Sequence, residues 1–331
     1  MPAGIAAIAS WLPERVVDNH ELSAAFPEWD ADRIGGKTGI LSRHVAGDDE
    51  FASDLAVRAA ERLFDESGTP RSTIDHVIVC TQTPDRYLAT TAFLVHARLG
   101  LRADCGAVDI ALGCSGYVAG LGLATGLIES RQARTVLLIT ADTYTKLLNP
   151  ADRSVRTIFG DGAAATLVVE GAPGRVHSFV YGSDGTGADA LTVPRGGLRA
   201  APDLTGPAAR GLEPTAYDLY MDGPEVFNFT LRVVPETVER LLASTGLERD
   251  DVDTWVFHQA NGFMLGHLRR KLDIPEDRFI VDLADVGNTV STSIPLALER
   301  AGAAGRLPTG SRSVLLGFGV GLAWAGAVVD W

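Results

Sequence analysis

The sequence predicts an α/β protein built from two duplicated halves, each a mixed, mostly buried sheet covered by helices. Three observations lead there. Short apolar runs alternate with longer segments whose apolar residues recur at helical spacing. The order of these elements in the second half repeats that of the first. The repetition also keeps one register: Gly68 to Gly246, Asp75 to Asp253 and Arg134 to Arg312 are all separated by 178 residues. In that register STIDHVIVCTQT lies over DDVDTWVFHQAN, and ARTVLLITAD over SRSVLLGFGV. The boundary falls at Gly171-Ala172-Pro173-Gly174 and divides the chain into residues 1–172 and 173–331.

In chain order, MPAGIAAIASWLPERVVDN gives a first strand and a loop. Its apolar run is too short to span a membrane and lacks a basic leader, so a cytoplasmic protein with reduced thiols is expected. IGGKTGILSRHVA (34–46) reads as a glycine-punctuated loop with basic residues. Phe51, Leu55, Ala59 and Leu63 predict a helix over 51–67 that Gly68 stops. A buried strand over 75–83, a helix over 91–99 and a strand over 134–140 follow, and FGDGAAATLVVE (159–170) is a turn feeding another strand. The second half predicts helices over 225–244, 262–272 and 291–301, and strands over 253–259, 278–283, 313–316 and 326–329. The Gly-, Pro- and Ala-rich stretch 191–215 is expected to be a surface excursion that covers a site.

Composition narrows the function. The chain has 331 residues, is 46% hydrophobic and 21% charged, and contains 36 glycines, which suits a compact enzyme rather than a disordered chain. A net charge of −13 excludes a general nucleic-acid or anionic-membrane surface. Three cysteines make no disulfide framework. Cys80 sits in an apolar strand, and Cys105 lies beside a turn with no partner at metal-ligand spacing. With no histidine pair at helical ligand spacing either, a metal hydrolase is poorly supported and no metal is expected. GFGVG and GLGLATG suggest a dinucleotide site but fail on context: the first precedes a strand and the second lies inside a helix. GSDGTGAD (182–189) reads as a turn rather than a calcium loop.

The chemistry centres on DIALGCSGYVAGLGLATGLIES (109–130), where a short strand turns through Gly113-Cys114-Ser115-Gly116 into a helix of small residues. A cysteine at a helix start sits near free N–H groups and the positive end of the helix dipole, an arrangement that lowers a thiol pKa. In the second half, His258 closes the apolar strand TWVFHQAN, and Asn288 stands after Gly287 ahead of the helix STSIPLALERA. The pseudo-twofold brings strand ends of both halves together. One nucleophile and two neutral hydrogen-bond donors suit decarboxylative carbon–carbon bond formation through an acyl-cysteine. Backbone N–H groups near Cys114 take the oxyanion of the attacked thioester, while His Nε2–H and Asn Nδ2–H take the enolate left when a carboxylate departs.

Over nearly its whole length the chain resembles the β-ketoacyl-acyl-carrier-protein synthase III family. KTGILSRHVA (37–46), DIALGCSGY (109–117), FGDGAAATL (159–167), VFHQAN (256–261), GNTVSTSIPLAL (287–298) and GFGVGLAWAG (317–326) carry the resemblance, in that order. It implies the thiolase fold, a five-layered αβαβα sandwich, in a homodimer with a Cys114-His258-Asn288 triad. It also implies that Phe318 packs beside the Cys114 sulfur and that the Val320 N–H, at a position where the family usually has glycine, joins that of Cys114 in the oxyanion hole. Leu88 is expected to reach the partner's acyl pocket and Asn261 the pantetheine arm. No permanently bound cofactor is implied; the substrates are thioesters of acyl carrier protein or coenzyme A. In fatty-acid starters of the family, coenzyme A adenine lies between a tryptophan and an arginine. Arg153 keeps the arginine, but an ungapped count back from Thr38-Gly39-Ile40 places Arg33 at the tryptophan position, four residues beyond Trp29. Phe263 and Asn228 stand where basic docking residues are usual, while Arg270 and Lys271 match. Arg269-Arg270-Lys271 is the densest basic run available to an acidic carrier. These departures point to an acyl or peptidyl carrier protein as donor and to secondary metabolism. The alternative reaction on the same site moves the acyl group to a hydroxyl or amine without decarboxylation, with His258 as general base.

Overall fold

The structure, a computed structural model, describes residues 2–198 and 217–331. Most of the excursion expected at 191–215 lies outside the described residues. Thirteen strands are described: β1 (Ala3–Trp11), β2 (Val16–Asp18), β3 (Ser42–His44), β4 (His76–Cys80), β5 (Gly106–Ile110), β6 (Thr135–Asp142), β7 (Gly162–Glu170), β8 (Gly174–Ser183), β9 (Leu191–Thr192), β10 (Tyr220–Met221), β11 (Thr254–Phe257), β12 (Arg312–Gly319) and β13 (Ala323–Asp330). The first half orders its sheet β1-β7-β6-β4-β5 and the second β8-β13-β12-β11. The pairs near the far edges are parallel (β5–β4 and β4–β6 in the first half, β11–β12 in the second) and the others step back antiparallel toward the seam. The sheets meet where β1 pairs with β8 through only Gly4–Arg175 and Ile5–Gly174. A Cβ at Gly4 would lie 2.3 Å from the Ala172 carbonyl oxygen, so only glycine permits this joint.

Side chains alternate across every central strand, and that alternation builds the layers. Val77, Val79, Leu137 and Ile139 face an outer cluster with helices Ala52–Ser67 and Thr91–Leu99, whereas Ile78, Val136 and Leu138 face inward. In the second half Trp255, Phe257, Val314 and Leu316 pack outward on helices Gly223–Thr245 and Gly262–Lys271, while Val256 and Leu315 face inward. The inward faces of both sheets share one cluster with helices Gly116–Glu129 and Ser293–Ala303, which form the middle layer. The 178-residue register extends to single atoms: Asp75 Oδ2 accepts from the Arg134 N–H and Asp253 Oδ2 from the Arg312 N–H, both at 2.8 Å.

Two segments differ from the sequence reading. Within 34–46, expected as loop, helix Ala31–Thr38 runs through and β3 follows. Asp30 caps that helix, accepting the Arg33 N–H at 2.7 Å, and Ile34 and Thr38 give it a buried face. Residues 278–283, expected as a strand, make only one bridge, Trp255 with Phe279. A side-chain amide takes the place of the ladder: Gln259 Oε1 accepts from the Asp282 N–H at 2.7 Å and Nε2 donates to Ile280 O at 3.3 Å. The helix expected from 291 begins as a 3-10 turn, Val290–Thr292, before Ser293–Ala303.

Candidate active site

Cys114 lies between β5 and helix Gly116–Glu129, one residue before the N-cap Ser115, and is 5% exposed. The expected lowering of its pKa does not occur. Burial pushes the thiol up to about 12, the negative charge of Asp142 acts in the same direction, and the N–H groups of Val320 and of Cys114 itself oppose them. Those two N–H groups both face the sulfur. Val320 takes no positive φ, and the close approach falls to Gly319, where a Cβ would lie 2.8 Å from Cys114 Sγ.

His258 follows β11, its N–H donating to Leu316 O at 2.8 Å, and it is 2% exposed. Burial pushes its pKa down to about 3, so the ring is neutral. Its Nδ1 lies 2.7 Å from Ser293 Oγ, which also accepts the Gln259 N–H at 3.3 Å. With the Ser293 hydroxyl donating to Nδ1, the ring proton sits on Nε2. Asn288 Oδ1 accepts the Val290 N–H at 2.9 Å, which turns its Nδ2 toward His258 Nε2 at 3.4 Å. Two N–H donors thus stand abreast, placed to share one anionic oxygen. Phe318 meets the His258 ring edge-on at 5.7 Å between centroids.

Cys114, His258, Asn288, Phe318 and Asn261 line one cavity of about 190 Å³. Asn261 caps helix Gly262–Lys271 through Oδ1, which accepts from the Met264 N–H at 2.9 Å. A wider cavity of about 650 Å³ beside Arg153 and Glu28 shares Met221 and Gly223 with it. The Trp29 ring packs against the Arg153 side chain, its centre 5.0 Å from Arg153 Cζ, 5.2 Å from Arg33 Cζ and 4.5 Å from Lys37 Nζ. Asp30 starts a helix there, and the Trp29 N–H turns back to Phe26 O at 2.8 Å.

The remaining candidates sit outside these cavities. Leu88 is 86% exposed in the segment between β4 and helix Thr91–Leu99. Phe263 is exposed and lies 5.7 Å from Phe227, a cavity wall. Of the basic run, Arg269 is turned inward, bonded to Glu276 at 3.2 Å and to Ile274 O at 3.3 Å; Arg270 and Lys271 remain exposed. Among the described residues no helix is long and apolar enough to cross a membrane.

Sequence reasoning passed over Ser293 and Asp142. Ser293 stood inside a quoted motif, five residues after Asn288, but only the fold turns it onto His258. Fully buried Asp142 ends β6 and ties both halves together, accepting from the Gln82 N–H at 2.8 Å and the Ser291 N–H at 3.3 Å. Burial pushes its pKa from 3.8 up to about 7. A carboxyl raised in the folded state contributes stability that is fully present below about 3.8 and lost as pH rises through about 7. Between pH 4 and 7 the protein is expected to lose on the order of a few kcal/mol more unfolding free energy than Asp142→Asn. Urea denaturation of both at several pH values checks this; parallel pH profiles would refute it.

Comparison with known proteins agrees with this arrangement. Residues 108–185 match the family profile described as 3-oxoacyl-(acyl-carrier-protein) synthase III, and residues 242–331 match the profile of its C-terminal part. The chain is 42% identical over 330 residues to β-ketoacyl-(acyl-carrier-protein) synthase III 3 of Streptomyces coelicolor, covering 98% of this chain and 96% of that protein. A crystal structure of a 3-oxoacyl-(acyl-carrier-protein) synthase III, 48% identical, superposes with a TM-score of 0.95 over 100% of both chains. The corresponding enzyme of Pseudomonas aeruginosa PAO1, 35% identical, gives 0.89 over 100% of this chain and 98% of its own. With a thiolase-like sandwich and a buried cysteine facing a histidine–asparagine pair, the chain belongs to the 3-oxoacyl-(acyl-carrier-protein) synthase III family.

Proposed function

We propose that the chain condenses an acyl thioester with malonyl-(acyl carrier protein) by way of an acyl group held on Cys114. In the first half-reaction the sulfur attacks the thioester carbonyl, the N–H groups of Cys114 and Val320 take the oxyanion, and the donor thiol leaves with the proton that Cys114 gives up. In the second, the malonyl carboxylate departs as carbon dioxide, and its bonding pair becomes an enolate held by His258 Nε2–H and Asn288 Nδ2–H. The new carbon–carbon bond expels the Cys114 sulfur, which takes a proton from solvent. Residues 1–172 supply the nucleophile and residues 173–331 the two donors. The observation that carries this reading is the pair of neutral donors abreast, 3.4 Å apart, in the cavity that holds Cys114.

Coenzyme A is the donor better supported, because the Trp29 ring packs on Arg153, a residue that lines the wider cavity. Malonyl carrier protein then docks at Phe263, Arg270 and Lys271, and the apolar character of Phe263 supports a carrier particular to a specialised pathway. Incubation with malonyl carrier protein and a labelled acyl group on either carrier, with product mass and carbon dioxide recorded, tests all of this. Transfer to a hydroxyl or amine without carbon dioxide would establish the alternative reaction instead.

A second copy of the chain completes the acyl pocket in this reading. Among the described residues β5 ends the sheet on the first-half side, Val108 on it is exposed, and Tyr87, Leu88 and Phe93 are exposed too. Leu88→Ala is expected to extend donor tolerance to longer chains and Leu88→Trp to shorten it, in a protein that light scattering finds dimeric. A monomer, or unchanged chain-length preference in both variants, would remove the idea.

A further inference from the structure

Asp142 is a buried carboxyl that neither half-reaction uses. It is 0% exposed, and its hydrogen-bond donors among the described residues are all neutral. Oδ1 accepts the Gln82 N–H at 2.8 Å, and Oδ2 accepts the Ser291 N–H at 3.3 Å and the Ser291 hydroxyl at 2.5 Å. A buried carboxyl with no cation beside it is costly to the fold. What this one holds is a turn of the other half.

Both bonds to Ser291 fall on the 3-10 turn Val290–Thr292. Within that turn the fully buried Val290 takes a φ of +53°, a left-handed conformation that β-branched residues rarely adopt. Such backbone persists only where its surroundings over-determine it. On one side Val290 packs on the backbone before the nucleophile: a Cβ at Gly113 would lie 3.1 Å from Val290 Cγ1. At the far end of the turn, Thr292 Oγ1 lies 3.0 Å from Thr140 Oγ1 and 3.2 Å from Gly162 O. Asp142 supplies the middle, gripping Ser291 through its N–H and its hydroxyl together. The Val290 N–H is in turn the group that Asn288 Oδ1 accepts at 2.9 Å, and that bond aims Nδ2 beside His258 Nε2. A continuous path thus runs from the end of β6 to one of the two enolate donors.

We propose that Asp142 is a positioning residue for condensation: by holding the turn Val290–Thr292 it sets the Asn288 amide where the enolate oxygen forms. This rests on the acyl-Cys114 reading and deepens it. In Asp142→Asn one oxygen still takes the Gln82 N–H, but the new amide N–H opposes the Ser291 N–H and frees the turn. Steady-state condensation with malonyl carrier protein is measured beside single-turnover acylation of Cys114. The variant is expected to lose roughly 10–100-fold in kcat, with KM for the malonyl carrier within about twofold of native. Acylation should not slow, because removing the Asp142 charge eases ionisation of the thiol. Ser291→Ala, which deletes only the hydroxyl bond, should show a severalfold loss with the same split between the two steps. In an Asn288→Ala background, Asp142→Asn should cost less than about twofold more, since the donor it places is already gone. Should Asp142→Asn fail to fold, Ser291→Ala alone and combined with Asn288→Ala decides by the same comparison. Equal loss of acylation and condensation, or an undiminished loss in the Asn288→Ala background, would overturn the positioning role while leaving acyl transfer intact. Native condensation in Asn288→Ala itself would remove the underlying reading.

Discussion

Cys114→Ala leaves no covalently acylated protein and lowers condensation by roughly 10⁴-fold or more, the scale for loss of a covalent nucleophile. The other cysteines offer no substitute. The Cys80 thiol is fully buried, its Sγ donates to Leu112 O at 3.1 Å, and burial pushes its pKa well above the ordinary value. Cys105 is 7% exposed, bonded to Gly106 O at 3.5 Å, and likewise pushed up by burial. Peptide mapping after exposure to a labelled acyl donor is the measurement. Label on Cys80 or Cys105, or label that persists in Cys114→Ala, would contradict the assignment.

His258→Ala and Asn288→Ala should each lower condensation by roughly 10²–10³-fold, as deletion of a donor to a developing anion does. Acylation of Cys114 should survive in both. In the resting enzyme His258 is neutral, and with the Ser293 hydroxyl donating to its Nδ1 the proton sits on Nε2, which makes it a donor rather than a base toward the thiol. Single-turnover acylation measured beside steady-state condensation separates the two steps. Equal loss in both would show that His258 activates the sulfur.

The sequence made some of this legible because the information was local or periodic. Cys114 sits in a strand–turn–helix pattern, and the 178-residue offset carries the duplication. His258 and Asn288 were found at ends of apolar segments in the second copy, where a duplicated fold gathers its loops. What stayed hidden depends on contacts between distant residues. The 278–283 segment has strand composition, yet the Gln259 amide takes its backbone groups. The Cys114 pKa runs opposite to the helix-start expectation because burial outweighs the two N–H groups that favour the anion.

That raised thiol has a consequence for the survival of the enzyme between turnovers. Peroxide and simple alkylating agents attack thiolate, and oxidation beyond the sulfenic stage is largely irreversible. A sulfur that is 5% exposed, with a pKa of about 12, holds almost no thiolate near neutral pH. Cys114 is thereby shielded from small electrophiles that lack a pantetheine-like arm, and an inhibitor aimed at it must bring recognition as well as a reactive group.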